Sequence, residues 1–243
     1  MSVKALYQYL EFLKLAGIQD IFIKEPEQGQ EAFGEVVEEE VFVETAPLPE
    51  NKVDKAKILY DLSQKYANCQ KCGLCSNRRN LVYGSGNADA TMMIIGEGPG
   101  ETENKTGQVF VGAAGKLLDK QLAAINLTRS EIYIANIVKC QPPGNRNPKP
   151  DEIEACMPYL VEQIEIIQPQ ILLLMGRVAA HSLLITHESI SKMHLRLHSY
   201  LGITAYVTYN PSALLRNEKY KRPTWEDLKR VRDHYFSIVS KGK

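Results

Sequence analysis

The sequence predicts an α/β protein with a central parallel sheet of four strands, covered by helices on both faces. Three observations lead there. Short, continuous apolar runs recur at 91–95, 133–138, 171–175 and 205–209. Stretches with helical spacing separate them. Three of the four runs end in distinctive residues: Gly96-Glu97-Gly98-Pro99-Gly100, Lys139-Cys140 with its loop, and Asn210-Pro211-Ser212. Continuous rather than alternating apolar strands belong to sheets buried on both sides. In such sheets ligands collect beyond the carboxyl ends of the strands.

The elements follow in order. Residues 3–17, VKALYQYLEFLKLAG, put Leu6, Tyr9, Leu10, Leu13 and Leu15 near one helical face, with Gly17 as a stop. Residues 24–52 mix acidic residues, Gly and Pro and read as a linker, although VVEEEVFV within them could pair as a strand or dock on a partner. The expected division is therefore 1–52, a helix plus acidic linker, and 53–243, the compact domain. Within that domain helices are expected at 54–67, 113–126, 151–167, 177–185 and 224–240. The sequence contains no internal repeat.

The chain has 243 residues and no net charge, but the charge is unevenly spread. Residues 1–50 carry 11 Asp/Glu against 3 Lys, and residues 51–243 carry 26 Lys/Arg against 18 Asp/Glu. A basic body behind an acidic leader suits a polyanionic partner, and equally a merely solvated basic surface. No apolar run is long enough to cross a bilayer, and the N-terminus lacks signal-peptide order. A soluble, intracellular protein without membrane contact is expected.

Five cysteines in such a protein argue for metal or redox use over a disulfide framework. Cys69-Gln70-Lys71-Cys72 offers two thiolates, and Cys140 and Cys156 flank one strand–loop–helix element that can supply two more. Four thiolates suit zinc or an iron–sulfur cluster, and spacing alone does not choose. Cys75 is the spare. Residues 96–115, GEGPGETENKTGQVFVGAAG, hold six glycines at a strand end. No Gly-Lys-Ser/Thr follows, and Glu97, Glu101 and Glu103 would repel phosphate, so this is not a phosphate loop. Close backbone, carboxylates and Phe110 suit a flat neutral ring, with Phe110 stacking and a Glu holding water. Asn210-Pro211-Ser212 reads first as a strand-to-helix turn with Asn and Ser as caps.

Three segments together carry a resemblance: GEGPGETENKTGQVFVGAAGKLLDKQL, NIVKCQPPGNRNPKPDEIEAC and NPSALLRNEKYKRPTWEDLK. In this order they resemble the iron–sulfur uracil-DNA glycosylases, family 4 of that superfamily, from about Cys69 to about Lys229. The resemblance implies a three-layer α/β/α sandwich and a [4Fe–4S] cluster on Cys69, Cys72, Cys140 and Cys156. It implies that Glu97 and Gly98 line the base pocket, that Phe110 stacks on uracil, that Asn136 reads the uracil edge, and that Glu103 helps activate water. Three positions depart from the family: Asn104 where Asp is usual, Val109 where Pro precedes the stacking Phe, and Asn210 where the second motif usually has His. The Asn-Pro-Ser triplet also resembles the mismatch-specific uracil glycosylases, which are active with Asn.

Such an enzyme flips the nucleotide out of the stack. It must stabilise positive charge on the sugar and negative charge on the leaving base, and aimed donors near the base oxygen do the latter. His and Asn both donate a neutral N–H. Asn210 is therefore expected to keep activity, with Glu103 as its catalytic partner. Leu214 and Leu215 are candidates to fill the gap left by a flipped base, and Arg216 to meet a phosphate, against the ordinary fate of a leucine pair as core. Arg146, Lys149, Lys219, Lys221 and Arg222 could extend a phosphate track. The five histidines lie outside the matched motifs and are expected in packing roles. No lysine occupies a matched catalytic position, so a monofunctional hydrolase without a lyase step is expected. The expected partner is uracil-containing DNA, single- or double-stranded, met by a cytoplasmic, nucleoid-associated monomer. The acidic segment is a candidate to bind a protein partner. The competing class is an iron–sulfur DNA-binding or lesion-sensing protein with lost or altered glycosylase activity.

Overall fold

A computed structural model describes residues 54–241. The expected helix at 3–17, the acidic linker and the VVEEEVFV piece lie outside the described residues. Six strands and eight helices follow one another. The strands are β1 (Ser85–Gly86), β2 (Met92–Gly96), β3 (Tyr133–Asn136), β4 (Ile171–Met175), β5 (His198–Tyr200) and β6 (Ile203–Thr208). The helices are α1 (Lys55–Tyr66), α2 (Glu101–Thr106), α3 (Ala113–Ala124), α4 (Pro150–Ile167), α5 (Arg177–Leu184), α6 (Ile190–Met193), α7 (Pro211–Arg216) and α8 (Lys221–Lys241).

The sheet runs β1-β3-β2-β4-β6-β5. Its four inner strands are parallel, as expected, and β1 and β5 add short antiparallel edges. Every residue of β2, β3 and β4 is buried. Successive side chains pass to opposite faces, and two cores result. One gathers Met93, Ile95, Leu172 and Leu174 with Leu59 of α1, Leu160 and Ile164 of α4, and Leu183 of α5. The other gathers Met92, Ile94, Ile171 and Leu173 with Leu118 and Leu122 of α3 and Leu228 and Val231 of α8. This is the three-layer α/β/α arrangement.

The strand order positions the site. The chain leaves β2 towards β3 but leaves β4 towards β6, in opposite directions along the sheet. A crevice opens between two such departures at the carboxyl ends. Register places Gly96 opposite Asn136 and Met175 opposite Thr208. The segments beginning at Glu97, Ile137, Gly176 and Tyr209 therefore surround that crevice.

The glycine-rich connection holds a helix the sequence did not suggest, and the expected strand-to-helix turn at Asn210 is present, each for local reasons. In α2, ETENKT is wholly polar, yet Glu103 reaches back to accept from the Gly100 N–H at 3.2 Å, and Gly107 closes the end at φ 76°. In α7, the Asn210 side chain accepts from the Ser212 N–H at 2.9 Å and Pro211 occupies the first turn.

Candidate active site

Two adjoining cavities occupy the crevice. The first, of about 370 Å³, takes in Glu97, Gly98, Glu103, Phe110, Asn136 and Asn210 among its lining residues. The structure thus brings together all the expected base-pocket residues. The second, of about 620 Å³, shares Glu97, Asn147, Asn210, Ser212 and Arg216 with the first and extends past Arg177 to Tyr209 and Tyr220. Among the described residues no lysine lines either cavity.

Asn136 ends β3 with 1% of its surface exposed, and its Oδ1 is buried without a hydrogen-bond partner. A buried acceptor left unpaired costs on the order of 1–3 kcal/mol unless a ligand completes it. Its backbone is held from behind: the Lys139 ammonium donates to the Asn136 carbonyl at 2.9 Å and to Gln163 Oε1 at 2.5 Å. Lys139 is fully buried, and burial pushes its ammonium down to about 7. A Cβ at Gly96 would stand 2.5 Å from Asn136 Oδ1 and 2.6 Å from the Phe110 ring, so only glycine lets the two approach there.

Phe110 has φ 52°, a left-handed conformation uncommon for an aromatic residue. Two side chains hold it. Arg129 donates Nη1 to the Val109 carbonyl at 2.9 Å and Nη2 to the Phe110 carbonyl, while its Nε pairs with Asp119. On the other side Glu103 Oε1 accepts from the Val111 and Gly112 N–H groups at 2.9 and 2.8 Å. With Gly100, Glu103 therefore accepts from three backbone donors, and holding the loop is its visible work. Both lone pairs of Oε1 are engaged by these bonds, and Oε2, which accepts from Gly100 alone, keeps one.

Asn104, the residue after Glu103, is buried and ties α2 to the first cysteine segment. Its Oδ1 accepts from the Arg79 N–H at 2.8 Å, and its Nδ2 donates to the Asn77 carbonyl at 3.2 Å and to Gln141 Oε1 at 2.9 Å. An aspartate could not make the last two bonds as donor. The Asn at this position thus has a structural reason in this chain.

Asn210 joins both readings of its sequence. It caps α7, and its Nδ2 also donates to the Met175 carbonyl at 3.3 Å, which orients the amide and leaves one N–H over. Gly176 at φ 94° passes close beneath it: a Cβ there would meet Asn210 Cβ at 2.9 Å. Beyond the cap the leucine pair divides. Leu214 is 2% exposed and Leu215 is 54% exposed. Leu214 is core, because its face of α7 turns inward, and Leu215 alone of the pair stands out at the surface.

Burial raises the Glu97 carboxyl above its ordinary range, with Arg177 and Arg216 pulling it back. The expected phosphate track is narrower than the sequence suggested. Arg146 is bound in bidentate fashion to Glu152 at 2.8 and 2.6 Å, and Lys221 pairs with Glu218. Arg177, which sequence reasoning missed, lines the larger cavity together with Arg216. The signal was present: the fourth strand also ends abruptly, in Gly176-Arg177. Four of the histidines have packing partners: Glu188 O for His181, Asp227 for His194, Met193 O for His198 and Tyr206 for His234; His187 lies edge-on to His181.

Cys69, Cys72, Cys140 and Cys156 line one recess on the opposite side of α2, and Cys75 lines it too. Sulfur-directed donors are in place: the Lys139 backbone N–H to Cys156 Sγ at 3.3 Å and Arg78 Nη1 to Cys140 Sγ at 3.6 Å. Burial pushes the Cys72 and Cys140 thiols up and Cys156 to about 12. Among the described residues no three Cys, His, Asp or Glu side chains converge on a point for a single metal ion. A zinc ion draws its thiolates to about 2.3 Å. A multi-atom cluster spans a wider set of sulfurs. The donor set, all sulfur with N–H groups aimed at it, fits such a group.

The sequence model of the uracil DNA glycosylase superfamily matches residues 83–229. The type-4 uracil-DNA glycosylase of Saccharolobus solfataricus is 40% identical over 181 residues, covering 71% of this chain and 84% of that protein. The one of Sulfurisphaera tokodaii is 41% identical over 190 residues, covering 72% and 84%. The one of Thermotoga maritima is 38% identical over 182 residues, covering 73% and 95%.

Proposed function

The chain belongs to the uracil-DNA glycosylase superfamily, in its type-4 group, and from that premise we propose that it hydrolyses the N-glycosidic bond of deoxyuridine in DNA. Uracil is released, an abasic site remains, and no lyase step follows. The observation that carries this reading is the unpaired Asn136 Oδ1, buried beside Phe110 in a cavity of about 370 Å³.

The chemistry follows from the pocket. A flipped uracil stacks on Phe110 and offers its imide N–H to Asn136 Oδ1, while the Asn136 amide N–H meets the neighbouring carbonyl oxygen. Cytosine presents an acceptor and a donor in the reverse order, so a fixed Asn136 leaves both unpaired. As the C1′–N1 bond lengthens, positive charge grows on the sugar and negative charge on the base. The remaining Asn210 N–H donates to the base oxygen that gains charge; one such donor is worth about 3 kcal/mol. Glu103, while holding the loop, orients water with the spare lone pair of Oε2. The water oxygen bonds to C1′, its proton goes to the carboxylate or solvent, and uracil leaves with the bonding pair. Leu215 fills the vacated stack and Arg216 meets a phosphate.

Cys69, Cys72, Cys140 and Cys156 are proposed to hold a [4Fe–4S] cluster, with Cys75 spare. Bound there, the cluster would brace the segments that carry them. No helix of the described residues is long and apolar enough to cross a membrane.

The test is release of uracil from a labelled oligonucleotide, single-stranded and as U·G and U·A duplexes, by wild type beside Asn210→His and Asn136→Ala. Wild type is expected to cleave and Asn136→Ala to lose most activity. DNA binding with no release by wild type or Asn210→His would instead favour the lesion-sensing class.

A further inference from the structure

The larger cavity is not needed to enclose a uracil. Its far wall is an aromatic column. His194 lies against Tyr209 with ring centroids 5.6 Å apart, and Tyr209 stacks on Tyr220 at 4.4 Å and 14°. The column is anchored in the core. Asp227 is buried and accepts from Thr208 Oγ1 at 2.8 Å, with His194 Nδ1 3.1 Å and Arg230 Nη2 2.5 Å from its other oxygen. Tyr220 ends the column, and no other ring among the described residues stacks on it. Arg177 and Arg216 line the same cavity, and neither guanidinium makes an ion pair or hydrogen bond among the described residues. Ser189 and Ser191 add hydroxyls.

A fixed aromatic platform beside two unpaired guanidiniums suits a nucleotide: every base has a π-face, and every phosphate an acceptor edge. A cavity of about 620 Å³ falls within the range that encloses ligands of this size. It opens on the base pocket through Asn210 and Arg216. We propose that this cavity is a second nucleotide subsite, taking one nucleotide that flanks the flipped deoxyuridine. Its base stacks on Tyr220 and its phosphodiester meets Arg177 and Arg216. The inference rests on the glycosylase reading for the identity of the strand. It implies that the enzyme unstacks one neighbour as well as the target, which favours single-stranded substrate.

The experiment uses the full chain and single-stranded oligonucleotides with one uracil. In two of them a flanking base, 5′ or 3′, is replaced by an abasic tetrahydrofuran. For wild type, deleting the base on one side should raise KM roughly five- to 150-fold, the range of base–aromatic stacking, with little change in kcat. Tyr220→Leu should raise KM on the complete substrate to the same extent and then be indifferent to the deletion. Tyr220→Phe should behave as wild type. Arg177→Gln should weaken every substrate alike and lower the salt slope of binding by about 0.7, the single-strand value for one phosphate contact. Wild-type indifference to deletion on both sides, or additive effects of Tyr220→Leu and the deletion, would overturn the subsite. Release of uracil from the complete substrate tests the glycosylase reading separately. If release is absent, the same comparison in dissociation constants decides the subsite.

Discussion

Replacing Glu103 by Gln separates holding a loop from activating water. The carboxylate accepts from Gly100, Val111 and Gly112 N–H groups. Glutamine can turn its carbonyl to keep the Val111 and Gly112 donors. Its NH₂ then faces the Gly100 N–H, donor to donor. One charge-assisted bond is lost and two are weakened to neutral ones, for a cost of about 2 kcal/mol. In a domain of this size that lowers Tm by about 4–8 °C. The loop released is the one that presents Phe110, so free uracil should inhibit the variant less strongly, and kcat should fall as well. The assays are a thermal melt, inhibition by free uracil and single-turnover release. If kcat collapsed while Tm and uracil inhibition stayed at wild-type values, Glu103 would act on water alone and the bonds to the loop would be incidental.

Arg129→Met should detach the Val109 and Phe110 carbonyls, raise KM and the inhibition constant for uracil about tenfold (roughly 1.4 kcal/mol), and lower Tm by a few degrees; Arg129→Lys should not rescue it, since one ammonium cannot span both carbonyls and Asp119. Because the folded Glu97 carboxyl is raised by burial, it holds its proton more tightly folded than unfolded, and stability falls as pH rises from its ordinary value through the raised one. Glu97→Gln should therefore be more stable than wild type in neutral melts, with the difference gone in acid below the ordinary carboxyl range. Iron analysis of purified protein should find the metal retained in Cys75→Ala and lost in Cys156→Ala. Leu215→Ala should melt like wild type but lose activity on duplexes more than on single strands, whereas Leu214→Ala should cost about 2–5 kcal/mol in denaturant unfolding.

The inner strands were legible because burial on both faces leaves no polar alternation: Met92–Gly96 and Ile171–Met175 are apolar throughout apart from the closing glycine. The edges were not. Ser85–Gly86 and His198–Tyr200 carry too few residues to show a period. ETENKT has no apolar face, and its helix forms through capping at Gly100 and Gly107, which depends on where the Glu103 side chain turns. In the site, residue types and strand ends singled out the loop of Glu97 and Phe110 and the turn at Asn210, and the family resemblance added Asn136 to them. Sequence could not divide Leu214 from Leu215, since neighbours on a helix differ in facing only once its rotation is known. Nor could it show that Arg146 is already engaged by Glu152 or that Arg129 reaches Phe110; these contacts are tertiary. Arg177 needed only the strand-end argument applied to the fourth strand.

The cysteine recess has a topological consequence. Cys72 and Cys140 stand at the two ends of a segment that holds β2, α2, α3 and β3, and with them Glu97, Glu103, Phe110 and Asn136. A prosthetic group shared by those thiolates, as proposed, would close this segment into a ring. Asn104, inside the ring, is hydrogen-bonded to both ends of the closure, at Asn77 and Gln141. A tie of this length removes on the order of 4 kcal/mol of chain entropy from the unfolded state if it acts like a covalent link. A protease cut in the acidic stretch after Gly100 would then leave two fragments still held as one particle. Asn210, Ser212 and Arg216 reach the pocket from beyond Cys156, in the untied remainder of the chain.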